Sequence, residues 1–167
     1  MKLKVVAMCL MSAAFVMIGA GMLGYGLWMA WWATQAATWP STPGKITDVC
    51  LKEKHGRGKT YQVLVTYEYS AFGKPHTGSR IAYGYEGDGN QKAQELLFVK
   101  LKTASAVGVR YDPVSPETSV LSAGVNRSLQ TKLIFAAFWT IFAAFIGVFS
   151  RLISQGDDVL LKNLSLH

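Results

Sequence analysis

Two stretches without a charged residue, 5–32 and 133–150, constrain this 167-residue chain more than anything else in it. At 1.5 Å per residue they would form helices of about 42 Å and about 27 Å. A hydrocarbon core of about 30 Å accepts both, the longer one tilted or protruding. Buried core helices are the alternative, but the segment between the two stretches is too small to surround them. A cleaved secretory signal is the rival for the first stretch, since Lys2 and Lys4 give a basic start and Thr34-Gln35-Ala36 offers small residues near a cleavage point. The apolar run, however, far exceeds the roughly 7–15 residues of a signal core. It also ends in Trp28, Trp31 and Trp32, rings suited to a membrane–water boundary. Met8 before Cys9 does not fit a lipoprotein signal, which wants a small residue there.

The expected fold is therefore an α+β membrane protein, in which two transmembrane helices flank a small antiparallel β-rich extracytoplasmic domain containing one short helix. Residues 1–4 are expected as a cytoplasmic N-terminus, 5–32 as the first span and 33–42 as an interfacial linker. Residues 43–127 would form the domain, 131–150 the second span and 151–167 a cytoplasmic tail. Positive charge in short flanking segments sets the orientation: Lys2 and Lys4 precede the first span, and Arg151 and Lys162 follow the second. Both termini are then cytoplasmic at an inner membrane, although Arg127 and Lys132 argue mildly the other way.

The formal charge of +7 raises nucleic acid as a partner. Between residues 34 and 130 the excess is only 12 basic over 8 acidic groups, which suits a surface near anionic lipid headgroups better than a DNA footprint. Cys9 and Cys50 fall in different segments, so no internal disulfide framework is expected. Cys50 is expected as a buried small apolar residue rather than an intermolecular bridge.

Within the middle segment, Pro40, Pro43 and Gly44 prevent the helix from continuing. A first strand is predicted over 45–52. The charged, glycine-rich run 52–59 is predicted as an exposed hairpin loop, with Lys52, Lys54, His55, Arg57 and Lys59 as the candidate interaction surface. The clearest strand covers 60–71: Tyr61, Val63, Val65, Tyr67 and Tyr69 share one face, opposite Gln62, Leu64, Thr66 and Glu68. The tyrosine row suggests a sugar platform, but it reads better as the half-buried face of a sheet. A return strand is predicted over 76–83. Asp88 or Asn90 would cap a short helix whose apolar face carries Ala93, Leu96, Leu97 and Leu101. A further strand over 107–111 ends at Asp112-Pro113, and Thr118 to Leu121 resume pairing on an edge.

The two apolar helices carry small residues at regular spacing. Val16, Ala20 and Gly24 on the first, and Ala136, Thr140 and Ala144 on the second with Ala143 and Gly147 offset, predict helix–helix packing within the chain or with a second copy. Neither uncharged stretch, 5–32 or 133–150, contains an Asp, Glu, Lys, Arg or His, which argues against a proton or ion path.

The chemistry of an enzyme is hard to find in these residues. His55 and His76 are the only histidines of the middle segment, and neither has a neighbour at metal-ligand spacing. No G-x-S-x-G or H-E-x-x-H pattern occurs, and "YGYEGDGN" at 83–90 lacks the lysine-serine ending of a phosphate loop. Asp112 facing His76 would lack a nucleophile. The expectation is a non-enzymatic protein without cofactor or metal.

Several phrases are similar to a known family. They are Thr42-Pro43-Gly44-Lys45-Ile46, Tyr67-Glu68-Tyr69, Gly73 in a turn and Thr77-Gly78-Ser79-Arg80-Ile81. With them go Val107-Gly108-Val109-Arg110-Tyr111-Asp112-Pro113 and Ser115-Pro116-Glu117-Thr118-Ser119-Val120-Leu121. Over about 45–130 the chain resembles the membrane-associated domain-of-unknown-function family 3592, whose most specific phrase is "G-x-x-V-x-Y-D-P-x-N-P-x-x-S-x-L". Ser115 stands where asparagine is usual. The resemblance implies a small β-rich domain held against a membrane between two helices, used for binding or scaffolding, and it carries over no catalytic residue. The partners to expect are membrane lipid and a protein, either a secreted toxin met by an immunity protein or another subunit of a membrane complex. A homo-oligomer also stays open.

Overall fold

The computed structural model describes the backbone of residues 2–55 and 58–163 and the side chains of 10–55 and 58–152. The chain divides into two compact units, one formed by 1–27 with 132–167 and the other by 28–131. Helix α1 (Lys2–Gln35) begins in the first unit and ends in the second, and helix α3 (Arg127–Asn163) begins in the second and ends in the first. Each contains 26 residues, Leu10–Gln35 and Arg127–Leu152, apolar enough to cross a membrane.

The helical unit is held by small residues repeated every seven positions, not every four. On α1, Ser12, Gly19 and Gly26 lie on the contact side; on α3, Ala136, Ala143 and Ser150 are buried. A Cβ at Gly19 would lie 2.7 Å from Thr140 Oγ1 and 3.2 Å from the Thr140 Cα, so only glycine permits this approach. At Gly26 it would lie 2.8 Å from Leu133 Cδ2. Trp139 packs at a tilt on Phe15, ring centres 5.7 Å apart, and donates its indole N–H to the Phe15 carbonyl at 3.3 Å.

The expected packing residues are thus divided. Ala136, Thr140, Ala143 and Gly147 fall on the α3 contact side, but Ala20 and Gly24 are exposed, and a Cβ at Gly24 would meet nothing within 4 Å. The reason is geometric: a row of i, i+4 positions drifts around a helix, whereas a repeat of seven stays aligned with a partner over several turns. We predict that Gly19→Leu destabilises the helical unit by about 1–3 kcal/mol through overpacking. Gly24→Leu should leave it unchanged. Thermal unfolding in detergent micelles checks both; equal effects would contradict the seam.

In the second unit, α1 runs to Gln35 and the chain turns through Ala36–Trp39 into β1 (Ser41–His55). Strands β2 (Lys59–Ala71), β3 (Lys74–Gly78), β4 (Val107–Tyr111) and β5 (Ser119–Val120) follow, with helix α2 (Gln91–Thr103) between β3 and β4. All neighbours are antiparallel, in the order β3-β2-β1-β4-β5. The first two strands are longer than the sequence suggests, since pairing continues from Lys52↔Gln62 out to His55↔Lys59. The return strand is shorter, because the chain leaves β2 after Gly78.

The alternation on β2 is as expected: Val63, Val65, Tyr67, Tyr69 and Ala71 are buried, with Ile81, Leu101 and Val109 completing the core. Tyr67 is 0% exposed, so the tyrosine row is an interior face. Asn90 caps α2, accepting from Ala93 N at 3.2 Å. The buried face of α2 differs from the one expected. Gln94 and Leu101 are buried, with Leu97 and Phe98 against the core, whereas Leu96 is 72% exposed. A polar network pulls Gln94 inward: Tyr85 OH donates to its Oε1 at 2.6 Å, its Nε2 donates to Asp88 Oδ1 at 3.1 Å, and Val63 N donates to Tyr85 OH at 3.0 Å. Cys50, expected inside, is exposed, because it falls on the outer side of β1 opposite Leu64.

The stretch 33–42, expected as an interfacial linker, holds the end of α1 and the start of β1, with Ala33, Ala36 and Trp39 buried. Trp32, Trp39 and Tyr83 form an aromatic cluster with centroids 5.9–6.3 Å apart. Arg110 donates from Nη1 to the carbonyls of Ala37 and Trp39 at 3.0 and 3.1 Å. Asn126 caps α3, accepting from Leu129 N at 3.1 Å while its amide donates to Tyr83 O at 2.6 Å.

Candidate functional site

The sheet order leaves β3 and β5 at opposite ends, yet the chain brings them together. Beyond β3, the Ile81 carbonyl accepts from Leu121 N at 3.1 Å and from Ser122 N at 2.8 Å, so the sheet curls towards closure. Tyr67 spans the join. Its hydroxyl donates to Arg80 O at 3.0 Å and lies 3.1 Å from Ser119 Oγ. With its one proton given to Arg80, the phenol oxygen accepts from Ser119. Gly78 has to be glycine, because a Cβ there would overlap the Tyr67 ring.

Above this join lies a polar cleft of about 170 Å³, lined by Thr77, Gly78, Ser79, Arg80, Glu117, Thr118 and Ser119. Hydroxyls supply donors and acceptors, Arg80 a cation and Glu117 an anion. The Arg80 guanidinium sits 4.7 Å from the centre of the Tyr83 ring, which fixes its position over an aromatic face. Burial pushes the Tyr67 phenol above its ordinary range, the hydrogen bond from Ser119 opposing it in part. Burial also raises Tyr83, with the nearby Arg80 charge working against it. The arrangement suits recognition of a small polar group by hydrogen bonds, with one charge of each sign at the rim.

The predicted basic surface is divided by the pleat. Lys52 and Lys54 project from the outer face of the β1–β2 hairpin, while His55 and Lys59 share the inner face with Glu53. The Glu53 carboxylate lies 3.1 Å from Lys59 Nζ and 3.5 Å from His55 Nε2, and this contact raises the Lys59 pKa. Glu53 therefore offsets part of the charge expected from that run. Arg57 lies outside the described residues. Asp112 is spent on its own turn, accepting from Val114 N at 2.9 Å, while His76 stacks on Tyr69 at 5.6 Å.

The cleft residues were not singled out by sequence reasoning. Thr77–Arg80 and Glu117–Ser119 lie about 40 residues apart along the chain, and no local pattern predicts the curl that joins them. Their one signal was membership in the two phrases with a family likeness. The sequence profile of a domain-of-unknown-function family, DUF3592, matches residues 42–126, just over half of the chain. The chain belongs to the DUF3592 family. Comparison with curated proteins gives no match. In this DUF3592 domain the matched region runs from the start of β1 to the cap of α3, so it includes every strand, α2 and the whole cleft.

Tyr67→Phe leaves Arg80 O and Ser119 Oγ without their shared partner and should cost about 1–3 kcal/mol. A phenol raised in the folded state contributes stability that is complete below the ordinary tyrosine pKa of 10.0 and lost as pH rises through the folded value. Denaturant titrations should therefore show stability falling above about pH 10. Tyr67→Phe should weaken that decline without abolishing it, because Tyr83 and Tyr85 are also raised by burial.

Proposed function

We propose that this DUF3592 chain is a non-enzymatic interaction module, anchored in the cytoplasmic membrane by α1 and α3 and binding a protein or an envelope component outside it. Anchoring is supported by the outward faces of both helices: Met17, Ile134 and Ile141 are each at least 70% exposed, a surface that water does not tolerate and lipid does. Cytoplasmic termini follow from Lys2, Lys4, Arg151 and Lys162, which leave the β-rich domain on the far side. Immunity against a secreted toxin is a special case of this reading.

The observation that carries it is the cleft. An open pocket of hydroxyls with one cation and one anion is built for hydrogen-bonded recognition, and both family phrases contribute to it. Lys52 and Lys54 on the hairpin arm add a second exposed basic surface for an acidic partner.

A second reading, an accessory subunit of a membrane complex associating through its helices, is favoured by one feature of α3. Phe135, Phe138, Phe142, Phe145 and Phe149 are all exposed and alternate in steps of three and four. Phe138 stacks on Phe142 and Phe145 on Phe149, with rings 6.2 and 6.1 Å apart. That is the spacing a partner helix requires.

A photo-crosslinking amino acid at Thr118, Lys54 or Phe142 in intact membranes separates the two. The binding reading predicts partners captured from Thr118 or Lys54, and a Ser79→Arg change should lower the Thr118 yield about tenfold, the effect of losing about 1.4 kcal/mol. Capture confined to Phe142 would sink it in favour of the subunit reading.

A further inference from the structure

Apart from Leu96 and Val99 on α2, two apolar side chains on the turns of the second unit stand out in water. Phe72 is 69% exposed and Val114 is 88% exposed. Both are held firmly. Phe72 occupies the β2–β3 turn with φ 49°, a left-handed conformation that suits asparagine or glycine and strains a bulky aromatic residue. Val114 tops a loop fixed by Asp112 Oδ1, by Asp112 N donating to Thr118 O at 2.9 Å, and by Tyr69 OH donating to Pro116 O at 2.5 Å. A rigid apolar tip in a strained turn implies a use that offsets the strain.

The register places both tips at one end of the sheet. Ser41 pairs with Arg110, and Gly44 pairs with both Val107 and Tyr69, so the end of β4 and the turn after β2 lie where β1 begins. Phe72 meets Tyr111 edge-on at 5.7 Å, and Tyr111 N donates to Pro40 O at 3.2 Å. Pro40 follows five residues after the end of α1, whose last turns, in this same unit, expose Trp28 and Trp31. The tips therefore continue the aromatic belt that marks a membrane–water boundary. Lys74, exposed two residues after Phe72, adds a cation suited to lipid phosphates. The opposite end of the sheet carries Lys54, His55 and Lys59 instead.

We propose that the Phe72 turn and the Val114 loop rest in the headgroup region of the bilayer, so that the domain is seated on the lipid surface by its near end. This rests on the anchored reading above. The seat fixes the domain's orientation and leaves the hairpin arm pointing away from the lipid.

Spin labels test it in the full chain, reconstituted in phosphatidylethanolamine–phosphatidylglycerol vesicles with Cys9→Ser and Cys50→Ser. Labels go on Phe72→Cys, Val114→Cys, Lys54→Cys and Phe142→Cys. Accessibility to a water-soluble nickel chelate should be several-fold lower at 72 and 114 than at 54, with oxygen accessibility between those at 54 and 142. Nickel accessibility at 72 and 114 equal to that at 54, with 142 still in lipid, would overturn this inference alone. Label 142 in water would overturn the anchored reading itself. The Phe72→Asn change fits the turn's backbone and keeps the fold, and it should shift the label at 114 towards water; no shift would count against a shared seat.

Discussion

The Tyr67 hydroxyl closes the domain. A five-stranded sheet whose outer strands have five and two residues would present two weak edges to solvent. Tyr67 lies in the middle of the longest fully buried strand face, and its phenol reaches past β3 to take the Arg80 carbonyl on one side and the Ser119 hydroxyl on the other. The contact with Ser119 is buried and that with Arg80 partly so, and an unmade hydrogen bond there is expensive. The join in turn shapes the polar cleft, because residues from both sides of it form the walls. It also positions Arg80 over Tyr83, and Tyr83 belongs to the aromatic cluster where α1 gives way to the sheet.

What the sequence revealed was the part governed by local periodicity. Alternation over 60–71 exposed the buried face of β2 because every second residue there is apolar or aromatic, and residue type narrowed the cap of α2 to Asp88 or Asn90, of which Asn90 takes it. The misreadings share a cause. Leu96 looked like a core residue on a helical wheel, but Gln94 took its place because Tyr85 and Asp88, both from the preceding loop, satisfy its amide. Cys50 is apolar enough to bury, yet its parity on β1 puts it outside. Gly24 has the right residue type for close packing, but Gly19 and Gly26 have the right phase. In each case the residue type was legible and the face it takes on its element was not.

The cleft shows the same limit more sharply. Thr77 to Arg80 and Glu117 to Ser119 are ordinary polar residues, and they gain meaning only when the sheet curls. Family likeness marked both segments without saying why, and the geometry supplies a reason: they are the two lips of one join. The chain that results is differentiated along the sheet. Apolar tips lie at the end where β1 begins, basic side chains lie at the far hairpin, and the cleft opens at the seam.

Closure by Tyr67 is the claim on which this account rests, and amide hydrogen exchange tests it most directly. The amides of Leu121 and Ser122, which bond across the join, should exchange as slowly as that of Val65 within β2, and Tyr67→Phe should accelerate the first two while leaving Val65 protected. Exchange of Leu121 and Ser122 in the unaltered chain at the rate of an unstructured peptide would contradict it.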